Sequence, residues 1–290
     1  MNFNPSNVYV VGAVDNPQSK IIRVVHISDT MGCEDKLFSQ IPYGHILIHS
    51  GDFGKSTFFN PLWRSRAFLS HIDNMNRFFN HLPHPHKIYV AGSNDSHFSS
   101  MSKEQIQSLL PPVNYLQDSW CQLYSLFIYG TPWVKKRLKI SNAFTKDFMS
   151  LSESWEGIPS NTDILISNQK PWEATFYKHI STRIKPILHL YGKNDGNYGV
   201  LFKDDIIFSN ASFQSYVNFR SKLKTESYGF WSQDSLESTL NSKTITCFQR
   251  QKISQPGFYI KSREHYEPIV FDVYVPPKAT VNCDDLIDIN

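Results

Sequence analysis

Short apolar runs that each stop at a cluster of small polar residues constrain this chain more than any other feature. Arg23-Val24-Val25-His26-Ile27-Ser28 stops at Asp29-Thr30-Met31, and Ile46-Leu47-Ile48-His49 stops at Ser50-Gly51-Asp52. Later runs stop at Gly92-Ser93-Asn94-Asp95, Ser167-Asn168 and Gly192-Lys193-Asn194-Asp195. Continuous Val/Ile/Leu runs of this length read as strands buried on both faces, the habit of parallel sheets, whose strands deliver their following loops to one edge. Open α/β folds place their chemistry at that edge. Singly, each cluster is ordinary turn chemistry; together, five such turns on one edge converge in space.

The same patterning predicts strands over 22–28, 46–50, 87–91, 127–130, 164–167 and 187–191. A hairpin over 199–202 and 206–210, joined by Lys203-Asp204-Asp205, implies a second sheet, and a strand resumes over 269–273. Phe68, Ile72, Met75, Phe78, Phe79 and Leu82 fall at helical spacing and read as a core-facing stripe. Further helices are predicted over 103–110, over 143–152 and after Pro171. A chain of 290 residues with 40% hydrophobic content can bury a full core without disulfides. The scattered Cys33, Cys121, Cys247 and Cys283 suggest neither a zinc knuckle nor a disulfide framework.

Residues 1–22 read as an N-terminal extension, 23–275 as one domain and 276–290 as an acidic tail. Within the domain, 220–252 becomes rich in Ser, Thr, Lys and Gln and is predicted to be a surface insertion. A net charge of +3 is too mild to announce an anionic membrane or nucleic acid as the main partner without a local patch, and nucleic acid is not expected. No apolar run approaches the ~18 residues of a membrane span, and no signal peptide is read at the amino end. The expectation is a soluble intracellular chain, cytoplasmic by default, with an organelle address left open.

Denser text carries a resemblance: Ile27-Ser28-Asp29-Thr30, Pro42-Tyr43-Gly44-His45-Ile46-Leu47-Ile48-His49-Ser50-Gly51-Asp52-Phe53, Tyr115-Leu116-Gln117-Asp118-Ser119 and Gly130-Thr131-Pro132-Trp133. It continues in Thr162-Asp163-Ile164-Leu165-Ile166, Tyr198-Gly199-Val200, Asn210-Ala211-Ser212 and Pro268-Ile269-Val270-Phe271-Asp272. On these residues, from about Arg23 to Val275 without the insertion, the chain resembles the calcineurin-like metallophosphoesterase superfamily, in its metallophosphoesterase-domain-containing branch. The resemblance implies a four-layer α/β/β/α sandwich with two metal ions at the carboxyl edge of its central strands. It also implies that the loop between Asn168 and the strand near Ile187 is shortened, reshaping the substrate rim.

Carried over residue by residue, the first metal position of that family falls on Asp29, Met31, Asp52 and Asp195, and the second on Asp52, Ser93, Asn168 and Lys193. The proton donor to the leaving group falls on Asn94. Only Asp29 and Asp52 keep the family's residue type, and every imidazole is gone. The resemblance therefore implies a pseudoenzyme that acts as a binding or assembly subunit with a protein partner. Its aromatic surface near Trp63, Trp172 and Trp231 and the insertion are the expected contacts. Lys193 would replace the second cation as a countercharge for Asp52, and no cofactor is the first expectation. Two alternatives stay open: a residual hydrolase holding one Mg2+ or Mn2+ on Asp29, Asp52 and Asp195, and a sensor in which Ser93, Asn94, Asn168 and Lys193 receive a nucleotide or phosphate. His26 and His49, inside apolar strands, and the His81/His84/His86 tract, interrupted by Pro83 and Pro85, read as structural. His97, three positions beyond Asn94, is weighed as a replacement acid and also read as structural.

Overall fold

A computed structural model describes residues 8–11, 20–54, 64–136, 143–192, 198–213, 258–260 and 268–275. The insertion, the acidic tail, Trp63, Trp231, Lys193 and Asp195 lie outside the described residues. In chain order the elements are β1 (Val8–Val11), β2 (Lys20–Ile27), α1 (Glu34–Leu37), β3 (Ile46–His49), α2 (Arg64–His81), β4 (His86–Tyr89), α3 (Lys103–Leu109), β5 (Asn114–Tyr115), β6 (Ser119–Leu123) and β7 (Leu126–Thr131). There follow β8 (Val134–Lys135), β9 (Thr145–Lys146), α4 (Phe148–Glu156), β10 (Ile164–Ser167), α5 (Ala174–Lys178), β11 (Leu188–Tyr191), β12 (Gly199–Lys203), β13 (Ile206–Asn210), β14 (Phe258–Ile260) and β15 (Ile269–Val275).

Two large sheets form, in the orders β1-β15-β2-β3-β4-β5 and β14-β12-β13-β11-β10-β7-β6, with β8 and β9 paired as a small third. Strands β2 to β5 run parallel, as do β7, β10, β11 and β13, so each sheet sends a row of carboxyl ends to one edge. Every residue of β3, β10 and β11 is buried, as continuous apolar runs require. Side chains from both sheets, including Val24, Ile46, Ile48, Ile128, Ile166, Leu190 and Phe271, share one core between them. A second core joins the outer face of the first sheet to α2 and α3 through Ile72, Met75, Phe79 and Ile106. A third joins the second sheet to α4 and α5 through Leu151, Trp155 and Phe176. The result is a mixed α/β fold of two stacked sheets with helices on both outer faces. Among the described residues no helix is long and apolar enough to cross a membrane.

Several elements depart from the sequence expectation. Residues 8–11, assigned to the extension, form an edge strand parallel to β15. The helix expected over 143–152 begins at Phe148, because Thr145 and Lys146 pair with Val134 and Lys135 while the Asp147 carboxylate accepts the Ser150 N–H at 2.9 Å and caps the first turn. Beyond α5 the chain widens into a π turn, His179–Ile184, closed by Lys185 at φ 48°. The edge strand β6 has no apolar run, since Ser119, Trp120, Cys121, Gln122 and Leu123 are alternately exposed and half-buried.

Candidate functional site

The two carboxylates that the sequence singles out sit on strained backbone at the carboxyl ends of β2 and β3. Asp29 has φ 53° and Asp52 φ 57°, and Met31 between them in sequence has φ 45°. Left-handed conformations at non-glycine residues cost about 1–3 kcal/mol and gather at functional sites. Tertiary bonds hold them: the Asp29 N–H donates to the Gly51 carbonyl at 2.9 Å, and Ser28 Oγ donates to Asp29 Oδ2 at 2.8 Å. Gly51 itself has φ 107°, a value for which glycine is the natural residue.

Asp52 meets Asn94 face to face. The Asn94 backbone N–H donates to Asp52 Oδ1 at 2.7 Å and its side-chain amide donates to Oδ2 at 3.1 Å, so both carboxylate oxygens are occupied. From the second sheet, Asn168 Oδ1 accepts the Ser93 N–H at 3.0 Å, and Asn168 Nδ2 donates weakly to the Ser50 carbonyl at 3.5 Å. The sheets are clasped beside this point, where Ser28 bridges to Ser212 and the Phe213 N–H donates to the Ser28 carbonyl at 2.9 Å. Asp29, Asp52, Ser93, Asn94 and Asn168 are thus brought together as the sequence predicts. Met31 is nearby in the chain and buried. Lys193 and Asp195 lie outside the described residues.

One residue of this site escapes the motif reading. Asp95 is fully buried and its carboxylate gathers three backbone donors: Asp52 N and Gly92 N on Oδ2, at 2.9 and 2.6 Å, and Gly54 N on Oδ1 at 2.9 Å. It ties the loops after β3 and β4 into one rigid unit. Burial first, then the charge of Asp52, pushes its carboxyl up to about 7, against the pull of these N–H groups. The available signal was the spacing Gly92-x-x-Asp95, an Asp folding back on the amide three residues before it.

The two other glycines of the site leave room for the carboxylates. A Cβ on Gly92 would overlap Asp52 Oδ1 and lie 2.5 Å from Asn168 Nδ2, and a Cβ on Gly192 would overlap Ser28 Oγ and Asp29 Oδ2. Gly92→Ala and Gly192→Ala are each expected to cost about 2 kcal/mol or more, since overpacking of a close-packed interior costs about 1–3 kcal/mol even before polar partners are displaced. Urea unfolding midpoints measure this, and a cost under half a kcal/mol, on the order of a neutral surface change, would show the carboxylates to be free to move aside.

The histidines are structural. Gly51 N donates to His49 Nδ1 at 3.2 Å, which leaves the His49 proton on Nε2, 3.1 Å from Thr30 Oγ1. His26 lies between Ser209 Oγ and Ser50 Oγ, 2.9 Å from each. His189 Nε2 is 2.7 Å from Ser167 Oγ, whose own hydrogen goes to the Gln169 carbonyl. Burial pushes His49 and His189 down to about 3, and pushes His26 well below the usual imidazole range. The His97 ring packs 5.0 Å from His71 and 5.9 Å from Phe68, against α2. In the proline-broken tract, His81 bonds the Arg77 carbonyl, His84 the Pro42 carbonyl, and His86 packs on Tyr124, so the three rings diverge. Among the described residues no group of three or more His, Cys, Asp or Glu is placed to hold a metal ion. The described donors are a poor match for a two-metal centre: a thioether at Met31 is a weak ligand for a hard ion, and Asp52, which would bridge the cations, already takes one N–H of Asn94 on each oxygen.

No family model matches the chain. Metallophosphoesterase domain-containing protein 1 of Homo sapiens is 28% identical over 249 residues, covering 72% of this chain and 72% of its own, and the Mus musculus protein of the same name gives the same figures. A UPF0046 protein of Caenorhabditis elegans is 24% identical over 290 residues, covering 89% of this chain and 83% of its own. With strand ends, turn motifs and site positions in the order that the resemblance requires, the chain is a distant homologue of the metallophosphoesterase-domain-containing proteins, related at the level of the superfamily.

Proposed function

We propose that this chain is a degenerate metallophosphoesterase on the four-layer α/β/β/α sandwich of that superfamily, a pseudoenzyme whose role is binding or assembly with a protein partner. The observation that carries the reading is the double hydrogen bond from Asn94 to Asp52. A carboxylate that bridges two cations turns a lone pair towards each, and here an N–H of Asn94 already draws on one lone pair of each oxygen. Two cations would supply a bound hydroxide near neutral pH and would neutralise the phosphoryl oxygens during attack. An amide at position 94 does neither, and it cannot give a proton to a leaving group as an imidazolium does. In this reading Lys193 supplies the countercharge, no metal is required, and what the fold retains is a cluster of polar groups at the carboxyl edge of its strands.

The test is hydrolysis of bis-p-nitrophenyl phosphate with Mn2+ added, comparing the natural chain with Asp29→Asn/Asp52→Asn. The expected result is identical, background rates. Clear turnover lost in the double variant would overturn the reading in favour of a residual hydrolase with one hard cation on Asp29, Asp52 and Asp195. Thermal stabilisation by a nucleotide or inorganic phosphate, abolished by Lys193→Ala, would instead favour a sensor.

A further inference from the structure

The densest positive charge of the chain is not in the insertion. Between Lys135 and Met149 the sequence holds five basic residues and one acid, a net +4 that exceeds the +3 of the whole molecule. The fold presents its described part as one surface. Lys135 ends the short strand β8 and Lys136 follows it, both exposed, and β9 pairs beside β8. The chain then enters α4, whose first two residues, Phe148 and Met149, are 43% and 70% exposed. These groups are neighbours: Lys135 Nζ lies 5.6 Å from the Phe148 ring centre, and Lys136 N bonds the Lys146 carbonyl at 2.9 Å. The one acid, Asp147, is engaged in capping α4.

Lys146 is used within the fold. It lies 3.7 Å from Asp118 and 4.1 Å from the Trp133 ring centre, and so anchors the patch without forming part of it. Lys135 and Lys136 make no ion pair among the described residues. Two exposed lysines, of which Lys136 feels the charge of Asp147, stand beside two adjacent apolar side chains on a helix start and combine electrostatic attraction with a hydrocarbon wedge. That combination fits the interface of an anionic bilayer, where apolar side chains enter the acyl boundary and lysines meet headgroups. Two exposed apolar side chains beside the lysines favour a bilayer over a nucleic acid, whose phosphates would draw on the lysines alone.

We propose that Lys135, Lys136, Phe148 and Met149 form a docking surface for an anionic lipid membrane. The surface lies on the carboxyl-end side of the sheets, tied to the candidate site by Ala143 N donating to the Ser93 carbonyl at 3.0 Å and by Lys135 N donating to Gln169 Oε1 at 3.1 Å. Docking would bring the edge that carries the candidate site close to the bilayer. The inference goes beyond the pseudoenzyme reading and does not depend on it, because it uses no residue of the pocket.

The test is co-sedimentation of the full chain with phosphatidylcholine vesicles, with and without phosphatidylserine. Binding is expected only to the serine-lipid vesicles and should weaken as salt is raised. Lys135→Glu/Lys136→Glu should reduce it by about tenfold or more, given roughly 1 kcal/mol per basic residue at such a surface. Phe148→Ser/Met149→Ser should reduce it by about tenfold through lost methylene burial. Leu69→Ser, at a 59% exposed apolar position on α2, should leave it unchanged. All five substitutions are at exposed positions, and circular dichroism checks that the three variants are folded. Equal binding to neutral vesicles, no binding, retention by either double variant, or an equal loss in Leu69→Ser overturns the proposal. So does capture of polyuridylate that needs the lysines but not Phe148 and Met149, which would assign the patch to RNA.

Discussion

Asp95→Ala is expected to destabilise the protein by about 3–5 kcal/mol, because a buried carboxylate would vanish from three backbone donors that have no route to water. The donors belong to two loops, Asp52 and Gly54 after β3 and Gly92 after β4, so their loss unties the site as well as the fold. Set against a total stability of about 5–15 kcal/mol, this is enough to leave a sizeable unfolded fraction. Asp95→Asn should be milder: an amide oxygen can still accept from one side of the cluster, while its NH2 faces donors on the other. Equilibrium urea unfolding of the three proteins gives the order natural, Asn, Ala. If Ala proves as stable as the natural chain, Asp95 is not the tie between the loops.

Acid is expected to unfold this protein early. His49 and His189 are held near 3 by burial, whereas an exposed imidazole titrates near 6.5. The folded-state values lie below the unfolded one, so the stability they support is complete above about pH 6.5 and is lost as pH falls towards 3. At pH 5 each has forfeited about 2 kcal/mol, or about 4 kcal/mol for the pair. His26, His71 and His84, also lowered by burial, act in the same direction. Asp95, raised to about 7, acts oppositely and gains as pH falls from 7 towards 4, but one carboxyl offsets only part of several imidazoles. The urea midpoint should therefore decline steeply between pH 6.5 and 4.5 by this linkage. His189→Phe should flatten the profile, since Phe176, Tyr191 and Phe208 surround that ring and the Ser167 hydroxyl keeps its bond to Gln169. A profile without slope would mean that these rings are protonated in the fold.

What the sequence reveals and what it hides follow from burial. The strands at Ile46, Ile164 and Leu188 are readable because both of their faces are covered, which leaves uninterrupted apolar runs. Strand β6 is not, because an edge strand with Trp120 and Gln122 turned outward carries no such run. The start of α4 is misplaced by apolar spacing alone, since a cap at Asp147 outweighs the helical pattern read back to Ala143. At the site, the convergence of Asp29, Asp52, Asn94 and Asn168 is readable from turn motifs in order. The role of Asp95 is not, because its partners are backbone N–H groups, which have no letter in a sequence.

His26 stands with one nitrogen against a hydroxyl of the first sheet and the other against a hydroxyl of the second, at the heart of the sandwich. A neutral ring gives on one side and receives on the other, so any slide of one layer over its neighbour strands two polar groups in oil. The alignment of the layers is therefore pinned by a residue that has no part in holding ions. The register of the two layers is thus set from within, whatever side chains the rim carries.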